Sequence, residues 1–174
     1  MSGNTVRDQA RETADPLAAP LKLEEFLPYR LNVVANLVSQ ALSRIYVDRY
    51  GIGVPEWRIL VTLGQFDTMT AKAVGAHSHM HKTKVSRAVS ALERRKLIVR
   101  RANRADRREA FLSLTPAGRA IYRDLAPGAL EFARRLFETI DPADRAAFER
   151  AIDRLTERSR TLSATPAAAD ETAK

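Results

Sequence analysis

Between Lys82 and Arg108 the chain places eleven lysines and arginines against two acids, Glu93 and Asp106. This stretch of 27 residues carries +9, whereas the rest of the chain has 18 basic and 19 acidic residues. Essentially all of the formal net charge of +8 is held in one place. Cationic side chains at that density form the electrostatic footprint of a phosphate-binding surface; the plain alternative is a solvated basic face. Other chemistries are poorly supplied. The absence of cysteine excludes disulfides, thiol catalysis and cysteine redox sensing. The three histidines are His77, His79 and His81. Alternate spacing puts ligands on one face only in an extended strand, and the surroundings are basic. Neither a metal nor another cofactor is expected, and His77 and His79 should face phosphate or solvent. There is no phosphate loop, nucleophile elbow or metalloprotease signature. The acids Glu24-Glu25 and Asp144/Glu149 read as solvated faces. The expectation is a binding protein rather than an enzyme.

Periodicity and capping residues place the elements that must carry this surface. Apolar residues at helical spacing, from Leu23 through Leu31, Val34 and Leu42 to Ile45, predict a helix over residues 21–50. Pro28 is a candidate kink near its start, and Gly51 and Gly53 end it. Pro55 opens a short helix over 56–63 with Trp57, Ile59 and Leu60. Thr70 is a natural cap for a helix over 71–76, and after a break at 78–80 a further helix spans about 81–96. Residues 97–102 and 109–114 are strand-like and flank a polar loop of hairpin length, 103–108. Thr115-Pro116 then starts a helix toward Ile140, with Pro127-Gly128 expected to bend or break it. Asp141-Pro142 repeats that signature for a last helix to about Leu162, with Phe148, Ile152 and Leu155 as apolar positions. Residues 1–20 and 163–174 read as a disordered arm and tail. With 45% hydrophobic and 29% charged residues the chain can form an ordinary soluble core. No apolar run approaches the ~20 residues of a membrane span, and the N-terminus lacks a secretory layout. No membrane association is expected, and the location is expected to be cytoplasmic.

The helices over 71–76 and 81–96 fit a helix-turn-helix, with small Gly75 where the two must approach closely. At 100° per residue Val85, Ala88, Val89 and Leu92 share one stripe, which should face the core. Thr83, Arg87, Ser90 and Arg94 fall on the opposite stripe. Two guanidiniums and two hydroxyls on a free helix face suit the major groove of B-DNA, where arginine bonds a guanine edge bidentately. Lys82 and Lys84 sit at the helix N-terminus, which suits phosphate. Thr70, Ser78 and Ser86 complete the candidate DNA contacts on this side. The alternative is an ordinary amphipathic surface helix. The loop adds Arg104, Arg107 and Arg108 beside Asp106. A basic hairpin next to a recognition helix is a wing whose arginines can enter the minor groove, and Asp106 is better placed to brace an arginine than to meet phosphate.

With these residues the sequence resembles the MarR family of winged helix-turn-helix transcriptional regulators. Asp106-Arg107-Arg108, followed by Leu114-Thr115-Pro116-Ala117-Gly118, is similar to the family's wing signature, Asp-x-Arg and then Leu-Thr-x-x-Gly. Lys82-Thr83-Lys84-Val85-Ser86-Arg87 with Leu92-Glu93 resembles its recognition helix. The resemblance covers roughly residues 26–162. It implies a mainly α fold with a small β-hairpin wing, arranged as an N-terminal dimerisation helix (21–54), a winged helix-turn-helix DNA-binding domain (55–115) and C-terminal dimerisation helices (116–162). It also implies that Arg108 enters the minor groove with Asp106 positioning it. An obligate homodimer built from the first and last helices would follow. The family commonly binds small phenolic or anionic effectors between the dimer helices and the winged domain. Tyr29, Arg30, Trp57 and Arg58 are candidates to line such a site, and an aromatic beside an arginine suits an aromatic carboxylate or its CoA thioester. Alternatively Trp57 is core and Arg30 an exposed ion-pairing residue. Two positions depart from the family pattern: His79 and Lys96 stand where glycine is usual, and a left-handed backbone without glycine costs about 1 kcal/mol. The expected function is a repressor of aromatic-compound catabolism that binds double-stranded, pseudo-palindromic DNA and is released by a small effector. An activator, or an architectural DNA-binding protein without ligand control, is the alternative.

Overall fold

The computed structural model describes residues 20–102 and 109–164. Its elements run α1 (Leu27–Tyr50), α2 (Val54–Phe66), β1 (Thr68–Thr70), α3 (Ala71–Ser78), α4 (Lys82–Arg94), β2 (Ile98–Ala102), β3 (Ala110–Leu114), α5 (Pro116–Leu136) and α6 (Pro142–Ala164). They belong to two compact units, Met1–Ala41 and Leu42–Lys174.

In the first unit a turn over residues 22–26, closed by the Phe26 N–H on the Lys22 carbonyl (3.0 Å), leads into α1. Periodicity started this helix at residue 21; it starts at Leu27. The reason is Pro28. Its fixed φ and missing N–H fit a first helical turn and oppose an interior position, so it opens the helix. Leu27, Leu31, Val34 and Leu37 lie exposed along this part of α1.

The second unit holds the core. Tyr46 from the end of α1 stacks on Trp57 (ring centroids 5.1 Å apart). Ile59, Leu60 and Leu63 of α2 join Val74, Val85, Ala88, Val89, Leu92, Leu112 and Leu125 in one buried cluster. Each fully buried aliphatic side chain contributes roughly 1.5–3 kcal/mol. Buried Thr62 satisfies its hydroxyl on the Arg58 carbonyl one turn back (2.7 Å).

The sheet has the antiparallel order β1-β3-β2. Arg100 pairs with Leu112 and Ile98 with Leu114 across β2 and β3. β1, which pairs Thr68 with Ser113 and Thr70 with Phe111, was not expected. Three residues are too few to show strand alternation, and their conformation comes from pairing with β3, more than forty residues on.

α5 starts as expected. The Thr115 hydroxyl accepts from the Gly118 N–H (3.1 Å) and donates to the Lys96 carbonyl (2.8 Å), while the Thr115 N–H bonds the Leu97 carbonyl (3.0 Å). Contrary to expectation the helix does not break at Pro127-Gly128, and it ends at Leu136 short of Ile140. Pro127 lies on the exposed side, where water can serve the carbonyl that loses its partner. α6 opens on the Asp141 carboxylate, which accepts from the Ala143 N–H (2.8 Å). It continues to Ala164, so Ser163 and Ala164 are helical, not tail. α6 buries no residue within the chain, and Phe148, Ile152, Leu155 and Leu162 are exposed along it. Among the described residues no helix is long and apolar enough to cross a membrane.

Candidate nucleic-acid interface

The turn between α3 and α4 is built tightly. Thr70 caps α3 by accepting from the Ala73 N–H (3.1 Å). At the other end His79 takes left-handed backbone (φ 50, ψ 39), and the Met80 N–H returns to the Gly75 carbonyl (3.0 Å). A Cβ on Gly75 would lie 3.3 Å from both the Met80 carbonyl and the Val85 side chain, so a larger residue would press on this approach. His81 then caps α4, its Nδ1 accepting from the Thr83 N–H (3.4 Å). Val85, Ala88, Val89 and Leu92 are buried, and Thr83, Arg87, Ser90 and Arg94 are exposed. The helix presents the two stripes that its sequence predicts. Lys82, Lys84 and Ser86 are exposed beside its N-terminus.

Beside α4 lies an open hollow of about 1070 Å³, lined by Thr70, Lys72, His79, Lys82, Ser86 and Arg100 among others. Thr70, Lys82 and Ser86 were expected DNA contacts and His79 was expected to face phosphate or solvent; Arg100 was counted in the basic segment without a role, and Lys72 was not singled out. Ser78, another expected contact, donates its hydroxyl to the Val74 carbonyl (2.6 Å) and is turned onto its own helix.

Two of the basic residues that form the charge footprint work inside the fold. Arg100 of β2 grips Glu93 of α4 bidentately (both bonds 3.1 Å). Arg95 donates to the carbonyls of Tyr50 (2.7 Å) and Gly51 (3.3 Å). The Tyr50 hydroxyl in turn donates to Asp124 of α5 (2.7 Å), and the carboxylate that accepts its proton raises the Tyr50 pKa above the ordinary value. Burial raises that of Tyr46, against a smaller opposing effect of the Arg58 charge.

The wing-tip residues Arg104, Asp106, Arg107 and Arg108 lie outside the described residues. Of the candidate effector residues, Tyr29 and Arg30 are exposed in the first unit. In the second, Trp57 is 6% exposed and stacked in the core, and Arg58 is exposed. His77 lies edge-on to the Phe66 ring (centroids 4.9 Å apart). Among the described residues no group of three or more His, Asp or Glu is placed to hold a metal ion.

Residues 50–109, from the last residue of α1 to the far side of the wing, match the model of the MarR family. Over this third of its length the chain is similar to the MarR family. It is 23% identical over 143 residues to an uncharacterised HTH-type transcriptional regulator of Bacillus subtilis, YsmB, covering 82% of this chain and 94% of that one. Its structure is similar to that of a MarR-family transcriptional regulator from Silicibacter pomeroyi (TM-score 0.66, 28% identity, 79% of this chain and 94% of that one). It also shares the fold of Bordetella bronchiseptica BpsR, a protein described as having its DNA binding regulated by 6-hydroxynicotinic acid (TM-score 0.62, 21% identity, 73% of this chain and 98% of that one).

The two departures from the family's glycine pattern have a physical account in the backbone. His79 and Lys96 both keep positive φ, 50° and 57°. The left-handed turn and wing entry are retained without glycine, and neighbouring bonds hold them: Met80 N–H on Gly75 after His79, and the Thr115 hydroxyl on the Lys96 carbonyl.

Proposed function

We propose that this chain is a transcriptional regulator of the MarR type, a ligand-responsive repressor that binds a pseudo-palindromic duplex as a homodimer, with α4 as its recognition helix. The observation that carries the reading is the division of α4 into a buried stripe, ending at Leu92, and an exposed one bearing Thr83, Arg87, Ser90 and Arg94. Arg87 and Arg94 read guanine edges in the major groove, and Thr83 and Ser90 bond bases or phosphates. Thr70, Lys82, Lys84 and Ser86 hold the phosphate backbone. Arg104, Arg107 and Arg108 take the minor groove, with Asp106 positioning Arg108. Two copies pair through the apolar faces of α1 and α6. These faces are exposed on the single chain, and a second copy would cover them. A two-fold axis then sets the recognition helices about one helical turn of DNA apart. Bound DNA blocks transcription by occupancy, in the cytoplasm, without enzymatic turnover.

The effector is a small aromatic acid or its CoA thioester, with Tyr29 and Arg30 as candidate contacts in the first unit and Trp57 and Arg58 as candidates in the second. The 6-hydroxynicotinic acid control of BpsR supports this chemistry. The ligand releases DNA only to the extent that it binds the non-DNA form of the dimer more tightly. The test is a gel shift at fixed salt on duplex enriched from a random pool, with aromatic acids and their thioesters added. Release by one of them supports the reading. Equal binding of enriched and random duplex identifies an architectural protein instead. Retained binding with every effector removes ligand control, and transcription raised by bound protein would make it an activator.

A further inference from the structure

We propose that Arg95 is a positioning residue, which fixes the recognition helix to the end of α1 and does not contact DNA phosphate. This rests on the reading of α4 as the DNA-reading helix. Charge alone would assign Arg95 to DNA, since it stands between Arg94 and Lys96 in the basic segment. Its geometry says otherwise. One residue past Arg94, it lies about 100° round the helix from the exposed stripe. It forms the C-cap of α4, its N–H bonding the Ala91 carbonyl (3.2 Å). The guanidinium spans two carbonyls, Tyr50 at 2.7 Å and Gly51 at 3.3 Å. Carbonyls at a helix C-terminus lack intrahelical partners and carry partial negative charge, which a cation stabilises. The planar fork of arginine can serve both at once, whereas a lysine ammonium is a point donor.

The other side of this joint is rigid. Gly51 adopts left-handed backbone (φ 58) and bonds the Val47 carbonyl through its N–H (2.8 Å). Ile52 is wholly buried, its N–H on the Tyr46 carbonyl (3.3 Å). The Tyr50 hydroxyl and Arg49 both hold Asp124 of α5, at 2.7 and 2.8 Å. The end of α1 is thus anchored to α5, and Arg95 ties the end of α4 to that anchor. A recognition helix released at this end can roll in the groove. Rolling misplaces Arg87 and Arg94 against base edges more than it weakens contacts to the uniform phosphate backbone.

The experiment measures affinity of the full chain for enriched and shuffled duplexes across a salt series, for wild type, Arg95→Gln, Arg95→Lys and Tyr50→Phe. Arg95→Gln is expected to cut the preference for the enriched duplex about fivefold to tenfold. Affinity for shuffled duplex should stay within about twofold, with an unchanged slope of log affinity on log salt. Arg95→Lys should recover part of the preference. Tyr50→Phe, which changes no charge, should lower it in the same direction by a smaller factor. If Arg95→Gln does not fold, Tyr50→Phe decides, and an unchanged preference there overturns the proposal. So does a parallel loss on both duplexes with a slope shallower by about 1.8, the mark of one lost phosphate contact in each protomer of the dimer. A wild-type chain that enriches no duplex overturns the α4 reading and this role together. Unchanged preference in Arg95→Gln alongside an enriching wild type overturns this role alone.

Discussion

Replacing Gly118 by alanine tests how closely the first turn of α5 approaches the wing entry. A Cβ at this position would stand 2.0 Å from the Leu97 carbonyl oxygen and 3.0 Å from its carbon. An ordinary carbon–oxygen contact is about 3.3 Å, so α5 and the wing entry must part by about 1.3 Å. The obstacle is backbone and cannot rotate away. Overpacking costs about 1–3 kcal/mol, and the displacement strains two bonds from Thr115, to the Lys96 and Leu97 carbonyls, worth about 1 kcal/mol each. Alanine returns up to about 1 kcal/mol in helix propensity. The net expectation is a loss of about 3 kcal/mol. For a chain of this size that lowers Tm by about 6–12 °C, read by circular dichroism at fixed protein concentration. Gly128 in the same helix is the control, since its Cβ would meet only the Ile45 side chain at 3.4 Å. Gly128→Ala should be neutral or stabilise by up to about 1 kcal/mol. A Gly118→Ala chain as stable as wild type would refute the close approach as the reason glycine stands in the Leu-Thr-x-x-Gly pattern.

Glu93→Gln should weaken the bidentate grip on Arg100 and unsteady the wing base; preference for enriched over shuffled duplex should fall about twofold to fivefold, with shuffled affinity unchanged or raised by the lost negative charge, both read by fluorescence anisotropy. Ile152→Asp with Leu155→Asp should convert a dimer to monomers in sedimentation while the winged core keeps its fold, because α6 buries nothing within its own chain. Tyr46 and Tyr50 both have pKa values raised above 10.0 in the folded chain. Their contribution is complete below the unfolded value of about 10 and is lost as pH rises through the higher folded values. Thermal melts should therefore show no tyrosine-linked change up to about pH 9 and a declining Tm above pH 10.

Helix α4 was the most legible part of the sequence, because amphipathic spacing is local: Val85, Ala88, Val89 and Leu92 fell on the core side and Arg87 on the open side. Caps were legible for the same reason, Thr70 and Thr115 each holding an N–H three residues on. The left-handed backbone at His79 and Lys96 followed only from the family pattern. β1 was not legible, since its extended form depends on distant Ser113 and Phe111. Nor was the division of labour among the basic residues. A charge count puts Arg95 and Arg100 in the basic segment without distinguishing their roles, whereas their partners Tyr50, Gly51 and Glu93 are set by tertiary contacts that no spacing reveals. Trp57 shows the same limit: its type suits a ligand wall or a core, and its place against the Tyr46 ring, eleven residues earlier, is visible only in the folded chain.

The central claim, that α4 reads DNA sequence through its exposed stripe, is tested most directly by Arg87→Ala. Its affinity should be compared with wild type at one salt concentration, on the enriched duplex and on single-base variants of it. Wild type should prefer a two-fold-related site with half-sites about 10 bp apart, and Arg87→Ala should lose about 1–3 kcal/mol of discrimination at one base pair per half-site, leaving the others intact. An Arg87→Ala chain that discriminates every position as wild type does would contradict the claim.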